Sequence, residues 1–178
     1  ELYDSIDSTN RRATELARSG APDGALVLAE VQTQGRGRLG RRWYAPAGSS
    51  LLMSLILRPP LPPTRAQRAV MVCALGLIEA IRAAGLPAGL KWPNDILVDG
   101  QKTAGILAEL GVRAQALDYV VVGMGLNVNL DVSALPEQQS PATSLSAQAG
   151  HPLPRLELLL DILTRITEGN GKPEDIDT

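Results

Sequence analysis

The dipeptide Asp99-Gly100 separates two apolar runs, Ile96–Val98 and Thr103–Leu110, and is the strongest hairpin signal in the chain. Turns of this kind join neighbouring antiparallel strands. Further runs of strand length surround it: Leu90–Trp92 and Asp95–Val98 about a Pro-Asn corner, and Tyr119–Gly123 beyond. Leu2, Ser5 and Ile6 suit a short opening strand, and Ala25–Val31 and Leu51–Leu57 suit buried ones. Helical spacing marks three other segments. Arg11–Ser19 follows the capping residues Ser8-Thr9-Asn10, turns Ala13, Leu16 and Ala17 inward and stops at Gly20. Arg65–Ala84 turns Val70, Ala74, Leu77, Ile78 and Ile81 inward and stops at Gly85. Pro154–Ile166 carries Leu156, Leu159, Leu160 and Leu163. The strands bunch instead of alternating with helices. That order predicts an α+β fold, with a mixed, largely antiparallel sheet and helices packed on one face, and argues against a doubly wound parallel sheet.

The 178 residues suit one domain with a core that needs no staples. Phe is absent, so Leu, Val, Ile and Ala must fill that core. The lone Cys73 lies in an apolar helical pattern, reads as a small core residue and fits a reducing compartment. No run approaches the ~18 apolar residues of a membrane span. The polar, acidic opening ELYDSIDSTN is not a signal peptide, so the expected compartment is the cytoplasm. A formal net charge of −2 gives no support for a general nucleic-acid binder. Against that background, the crowding of Arg36, Arg38, Arg41 and Arg42 points to a compact anionic ligand.

Those arginines lie in Gly35–Trp43, GRGRLGRRW, inside a polar, glycine-rich loop spanning Gln32–Ser50. The string matches the dinucleotide pattern GxGxxG, but Arg41-Arg42-Trp43-Tyr44-Ala45-Pro46 is no helix start. No acidic residue stands ~20 positions on to hold a ribose, where position 55 is Leu. Glycines let the backbone close around a ligand, and the guanidinium forks suit carboxylate or phosphate. Self-repulsion predicts a loop that orders with its ligand. Trp43 adds a flat apolar face for a ring.

Four other segments offer chemistry. Lys91-Trp92-Pro93-Asn94-Asp95 sets oxygen donors at a fixed corner, of the kind magnesium takes beside phosphates. In Lys102–Glu109, KTAGILAE, strand alternation puts Lys102 on the face of Ala104 and Ile106. Gly123–Asn129, GMGLNVN, permits close approach of a ligand, and Ser8-Thr9-Asn10 offers polar groups at a helix start. His151 lies outside all of these and reads as a solvated loop residue.

Together, in the order STN, GRGRxGRxW, KWPND, KxxGILxE and GxGxNVN, the segments over about residues 1–130 resemble the biotin–protein ligase family. The resemblance implies a class II synthetase-like fold, related to that of lipoate ligases. It implies that biotin's carboxylate attacks the α-phosphate of ATP with Mg2+ present, giving biotinyl-AMP. A lysine of a biotin carboxyl carrier protein, as of acetyl-CoA carboxylase, then takes the biotin. It places Ser8, Thr9, Asn10, Gln32, Arg36, Gly37, Arg38 and Lys102 at biotin, within a binding set that includes Gly35. Arg38 and Lys102 act catalytically on the developing phosphoryl charge. Trp43 and Asn127 lie against the nucleotide, Asn94 and Asp95 near the phosphates with Asp95 at the metal, and Gly105 leaves room for the ligand.

The expected catalytic domain is 1–166, followed by a polar tail, 167–178, in place of the family's C-terminal β-barrel. No DNA or membrane partner is expected. A homodimer through the strand edge after Val112 fits a family that includes dimers. The alternatives are a lipoate–protein ligase, against which the arginine loop argues, and a biotin- or nucleotide-binding module without full turnover.

Overall fold

The computed structural model describes residues 1–134 and 141–168. The strands are β1 (Leu2–Ile6), β2 (Leu26–Gln32), β3 (Ser50–Leu57), β4 (Ala88–Lys91), β5 (Asp95–Val98), β6 (Gln101–Arg113) and β7 (Ala116–Asn127). The helices are α1 (Thr9–Arg18), α2 (Gln67–Ala83), α3 (Leu145–Ala149) and α4 (Arg155–Glu168). The strands form one seven-stranded sheet in the order β1-β2-β3-β7-β6-β5-β4. Only β1 and β2 run parallel; the other pairs are antiparallel. This is the α+β class, with the mixed, largely antiparallel sheet, that the order of apolar runs predicts.

Asp99 and Gly100 both take positive φ, 48° and 75°, and turn β5 into β6. Ser8 caps α1, accepting from the backbone of Arg11. On one sheet face, α2 and α4 bury Leu77, Ile81, Ile162 and Ile166 against Met53, Val120, Val122 and Met124. Complete burial of an aliphatic side chain such as Leu77 or Ile162 contributes about 1.5–3 kcal/mol. The other face carries a smaller cluster, Ala13 and Ala17 of α1 with Val27, Ile56, Tyr119 and Val121. The helices therefore do not all share one face. α1 covers only part of its face, and the uncovered remainder faces the arginine loop.

Two expectations are corrected. In α4, Leu156 and Leu160 are exposed, and Leu158, Leu159, Ile162 and Ile166 face the core. The leucines at 156, 158, 159 and 160 offer two competing stripes, and only the one continued by Ile162 and Ile166 runs the helix's length. The polar tail expected from 167 begins within α4, which extends to Glu168, and 169–178 lie outside the described residues. Val112 pairs with Leu117 in the β6–β7 hairpin, but β5 pairs with β6 only as far as Gly105, so among the described residues the other side of β6 through Val112 meets no strand. Among the described residues, no helix is long and apolar enough to cross a membrane.

Candidate functional site

The uncovered part of the α1 face is a partly open cleft. Ser8, Thr9, Asn10, Gln32, Arg36, Gly37, Arg38, Trp43, Asn94, Lys102 and Gly105 line it. Residues from five separate sequence segments thus converge on one space. Gly35 is buried beside it: a Cβ there would stand 2.5 Å from the Trp43 carbonyl oxygen. Asp95 reaches the cleft through Lys102. Asn127 does not line it; it is buried, and its Nδ2 donates to the Thr143 carbonyl at 3.1 Å.

One end of the cleft is a neutral hydrogen-bonding network at the start of α1. The Gln32 Oε1 accepts from the Thr9 backbone at 2.8 Å and the Thr9 hydroxyl at 3.0 Å. The Ser54 hydroxyl lies 2.8 Å from Thr9 Oγ1 and 2.6 Å from Asn10 Oδ1. Asn10 Nδ2 donates to the Leu107 carbonyl at 3.1 Å. Ser8, Thr9, Asn10 and Ser54 are all buried, so their bonding groups are held in place for a ligand. Ser54 and Met53 gave no signal in the sequence because they sit inside the apolar run of β3.

The other end is cationic. The arginine loop folds back as a narrow hairpin, with Gly37 N–H donating to the Arg41 carbonyl at 2.7 Å and Trp43 N–H to Gly35 at 2.9 Å. Arg38 donates to Asn94 Oδ1 at 2.9 Å. Asn94 is itself held on β6, accepting from the Ile106 backbone at 2.9 Å and donating to the Ile106 carbonyl at 3.2 Å. Lys102 Nζ pairs with Asp95 at 2.7 Å and lies 5.6 Å from the centre of the Trp43 ring.

Lys102 is not on the face of Ala104 and Ile106. Opposite β5, Ile96 pairs with Ala104 but Leu97 pairs with Lys102, so Thr103 is an extra residue in a bulge. One inserted residue reverses the alternation. The Lys102 side chain therefore stands by Gly105: a Cβ on Gly105 would meet both Lys102 Nζ, at 3.4 Å, and Trp43 Cζ3, at 3.0 Å.

Gly105 and Gly125 face each other across β6 and β7. A Cβ on Gly125 would come within 2.6 Å of the Trp43 indole. The glycine pair is the flat floor on which the ring rests. Its Nε1 is buried without an acceptor. Cys73 is fully buried on the core face of α2, its thiol pushed up to about 12 by burial, and His151 is exposed with Nδ1 beside the Pro152 carbonyl. Neither borders the cleft. Among the described residues, no group of three or more His, Cys, Asp or Glu side chains gathers as a metal site.

A cleft that joins a neutral polar end to a cationic end over a bare backbone floor is suited to a polar-headed ligand bearing an anion. The chain belongs to the biotin/lipoate A/B protein ligase family, whose model matches residues 2–127. It is 40% identical over 163 residues to the bifunctional ligase/repressor BirA of Bacillus subtilis, covering 90% of this chain and 50% of that protein. It is 43% identical over 145 residues to the biotin–[acetyl-CoA-carboxylase] ligase of Mycobacterium tuberculosis, covering 78% and 51%. The chain spans about half the length of these relatives. Its fold matches the biotin protein ligase from Aquifex aeolicus in complex with biotin and ATP, with a TM-score of 0.79 and 34% identity, over 99% of this chain and 72% of that one.

Proposed function

We propose that this chain carries the activating site of a biotin–protein ligase. The observation that supports it is the single cleft in which Thr9, Asn10 and Gln32 face Arg36, Arg38 and Lys102. The neutral network suits the amide-like ring of biotin, which donates and accepts but carries no charge. The cations suit its carboxylate and the phosphates of ATP.

A carboxylate approaching a triphosphate is repelled at every distance unless fixed positive charge intervenes. Arg36 and Arg38 hold the carboxylate. Arg38 and Lys102 face the α-phosphorus, where one carboxylate oxygen forms a bond as the bridging oxygen leaves with pyrophosphate. A lysine amine of a carrier domain, such as that of acetyl-CoA carboxylase, then attacks the anhydride carbonyl and AMP departs. No enzyme nucleophile is needed, so catalysis rests on positioning and charge. Trp43, resting on the Gly105–Gly125 floor, is assigned to the nucleotide ring, with Asn127 supporting β7 beneath. Gly35 and Gly37 let the loop fold over the ligand, and Ser8 caps the helix whose start meets biotin.

Asn94 and Asp95 provide one amide and one carboxylate oxygen at the cationic end, a set that fits a cation keeping phosphate and water ligands. Mg2+ held there, with Asp95 as its carboxylate, would share these oxygens with Arg38 and Lys102 and would supply charge neutralisation on the phosphates. The working compartment in this reading is the cytoplasm, and no DNA-binding role is included. A second copy would pair through the open side of β6 about Val112; light scattering tests that.

The test is incubation with biotin, ATP and magnesium, following pyrophosphate release and label transfer to a carrier domain. Transfer supports the ligase. Binding of biotin with neither release nor transfer overturns it in favour of a binding module. Lipoate transfer in preference to biotin overturns it in favour of the lipoate branch.

A further inference from the structure

We infer that Glu109 is a positioning residue that holds Arg36, and through it the arginine loop, in register with the start of α1; the inference rests on the biotin-activating reading of the cleft. Glu109 lies on β6, two residues beyond Leu107 on the cleft side of the sheet. One of its oxygens, Oε1, accepts from two donors: Arg36 Nη2 at 3.1 Å and Asn10 Nδ2 at 3.4 Å. A single carboxylate oxygen therefore links the neutral end of the cleft to the cationic end.

An acid beside a site for anions needs a reason, because its charge opposes the ligand. Its geometry supplies one. Asn10 is fixed by the Ser54 hydroxyl and the Leu107 carbonyl, and packs into the space that the missing side chain of Gly123 leaves. Glu109 is thus read against a rigid neighbour, whereas Arg36 belongs to a loop held mainly by its own short hairpin. A guanidinium presents several donors in a rigid fork. Engaging Nη2 on Glu109 fixes the plane of the fork and leaves its remaining N–H groups for the ligand. Arg36 also bridges to Arg42 across the hairpin, so fixing Arg36 sets the position of Arg38 and Trp43.

The test compares Glu109→Ala and Glu109→Gln, alone and combined with Arg36→Ala, in the full chain. Glu109→Ala is expected to raise the KM for biotin about tenfold, the size of one charge-assisted hydrogen bond, with kcat within about twofold. Glu109→Gln, which keeps an acceptor for Asn10, restores part of the loss. In the Arg36→Ala background, Glu109→Ala adds little, because the residue acts through Arg36. Full additivity of the two single losses overturns the inference, as does an unchanged KM in Glu109→Ala.

A second measurement is independent of activity. Trypsin cleavage after Arg36, Arg38, Arg41 or Arg42, without ligand, is expected to be faster in Glu109→Gln than in the parent chain, and rising salt narrows the difference. Equal cleavage at all salt concentrations overturns the ion-pair role. If the parent chain shows no biotin-dependent pyrophosphate release, the proposed function fails by itself, and the cleavage comparison still decides whether Glu109 holds the loop.

Discussion

Gly123 of β7 and Asn10 of α1 interlock: a Cβ on Gly123 would fall on the Asn10 carboxamide oxygen. The close approach lets Asn10 bond at once to Ser54 and to the Leu107 carbonyl. Gly123→Ala must therefore displace either the carboxamide or the first turn of α1. The expected stability loss is about 1–3 kcal/mol, typical of overpacking a tight interior. Biotin affinity should fall with it, since the displaced carboxamide belongs to the network that the proposed function assigns to biotin. Denaturant unfolding and calorimetric titration with biotin check the two effects. Wild-type affinity in Gly123→Ala would remove Asn10 from the biotin site.

Lys102 stands between the Asp95 carboxylate and the face of Trp43, beside the Gly105 floor. In the proposed function its charge is fixed where phosphoryl charge would develop. Lys102→Ala is expected to slow pyrophosphate release by an amount on the order of 2–4 kcal/mol in activation energy, as for other preorganised donors. Lys102→Arg keeps the charge but not the compact shape, and should recover only part. Arg38→Gly should let the activated biotin escape and label lysines at random. Single-turnover release and off-target labelling measure the two. An Arg38→Gly chain that retains its adenylate as the parent does would end the clamp assignment.

The reach of the sequence differs from element to element. The Asp99-Gly100 turn and the inward face of α2 were legible because residue type and period there dictate local geometry. The β6–β7 turn was not: Ala114 and Gln115 take φ of 49° and 67° with no Gly or Asn to announce it. There the tertiary pairing of two long strands overrides local preference. The site was legible as a set of segments but not as an arrangement. Alternation put Lys102 on the core face, and a bulge one residue later reversed it. Ser54 was hidden because a hydroxyl in an apolar strand signals only once its partners on α1 are known.

Trp43 is also a reporter. Its ring rests on the Gly105–Gly125 pair, with a lysine ammonium 5.6 Å from the ring centre and a buried Nε1 lacking an acceptor. The only other tryptophan, Trp92, is exposed. In a Trp92→Phe chain, adding biotin and ATP should change the intensity and wavelength of the remaining emission as the indole exchanges the glycine floor and Lys102 for a nucleotide ring. Gly125→Ala, which places a methyl group against the indole, should shift the ligand-free spectrum and raise the KM for ATP. A spectrum indifferent to both ligand and floor would place the nucleotide elsewhere.

The last prediction concerns acid stability. Arg155 of α4 donates to both oxygens of Glu30 on β2, at 3.0 and 3.1 Å, and to the Ser50 carbonyl at 3.0 Å. Glu30 also accepts from the Gly48 backbone at 3.0 Å. The Arg155 hydrogen bonds, and less so the Gly48 N–H, hold the Glu30 carboxyl below its usual 4.5. A carboxylate whose folded pKa is depressed contributes stability that is present above the unfolded pKa and lost as pH falls through the folded one. The contribution should therefore be constant near neutrality and disappear below about pH 4.5, as Glu30 takes up a proton. Because the pair is partly exposed, its size is modest and salt reduces it. Glu30→Gln should lower the Tm at pH 7 and flatten its fall between about pH 5 and 3. Thermal scans across that range, at low and high salt, measure the difference. Parallel curves for parent and variant would show that this pair does not tie α4 to the sheet through its charge.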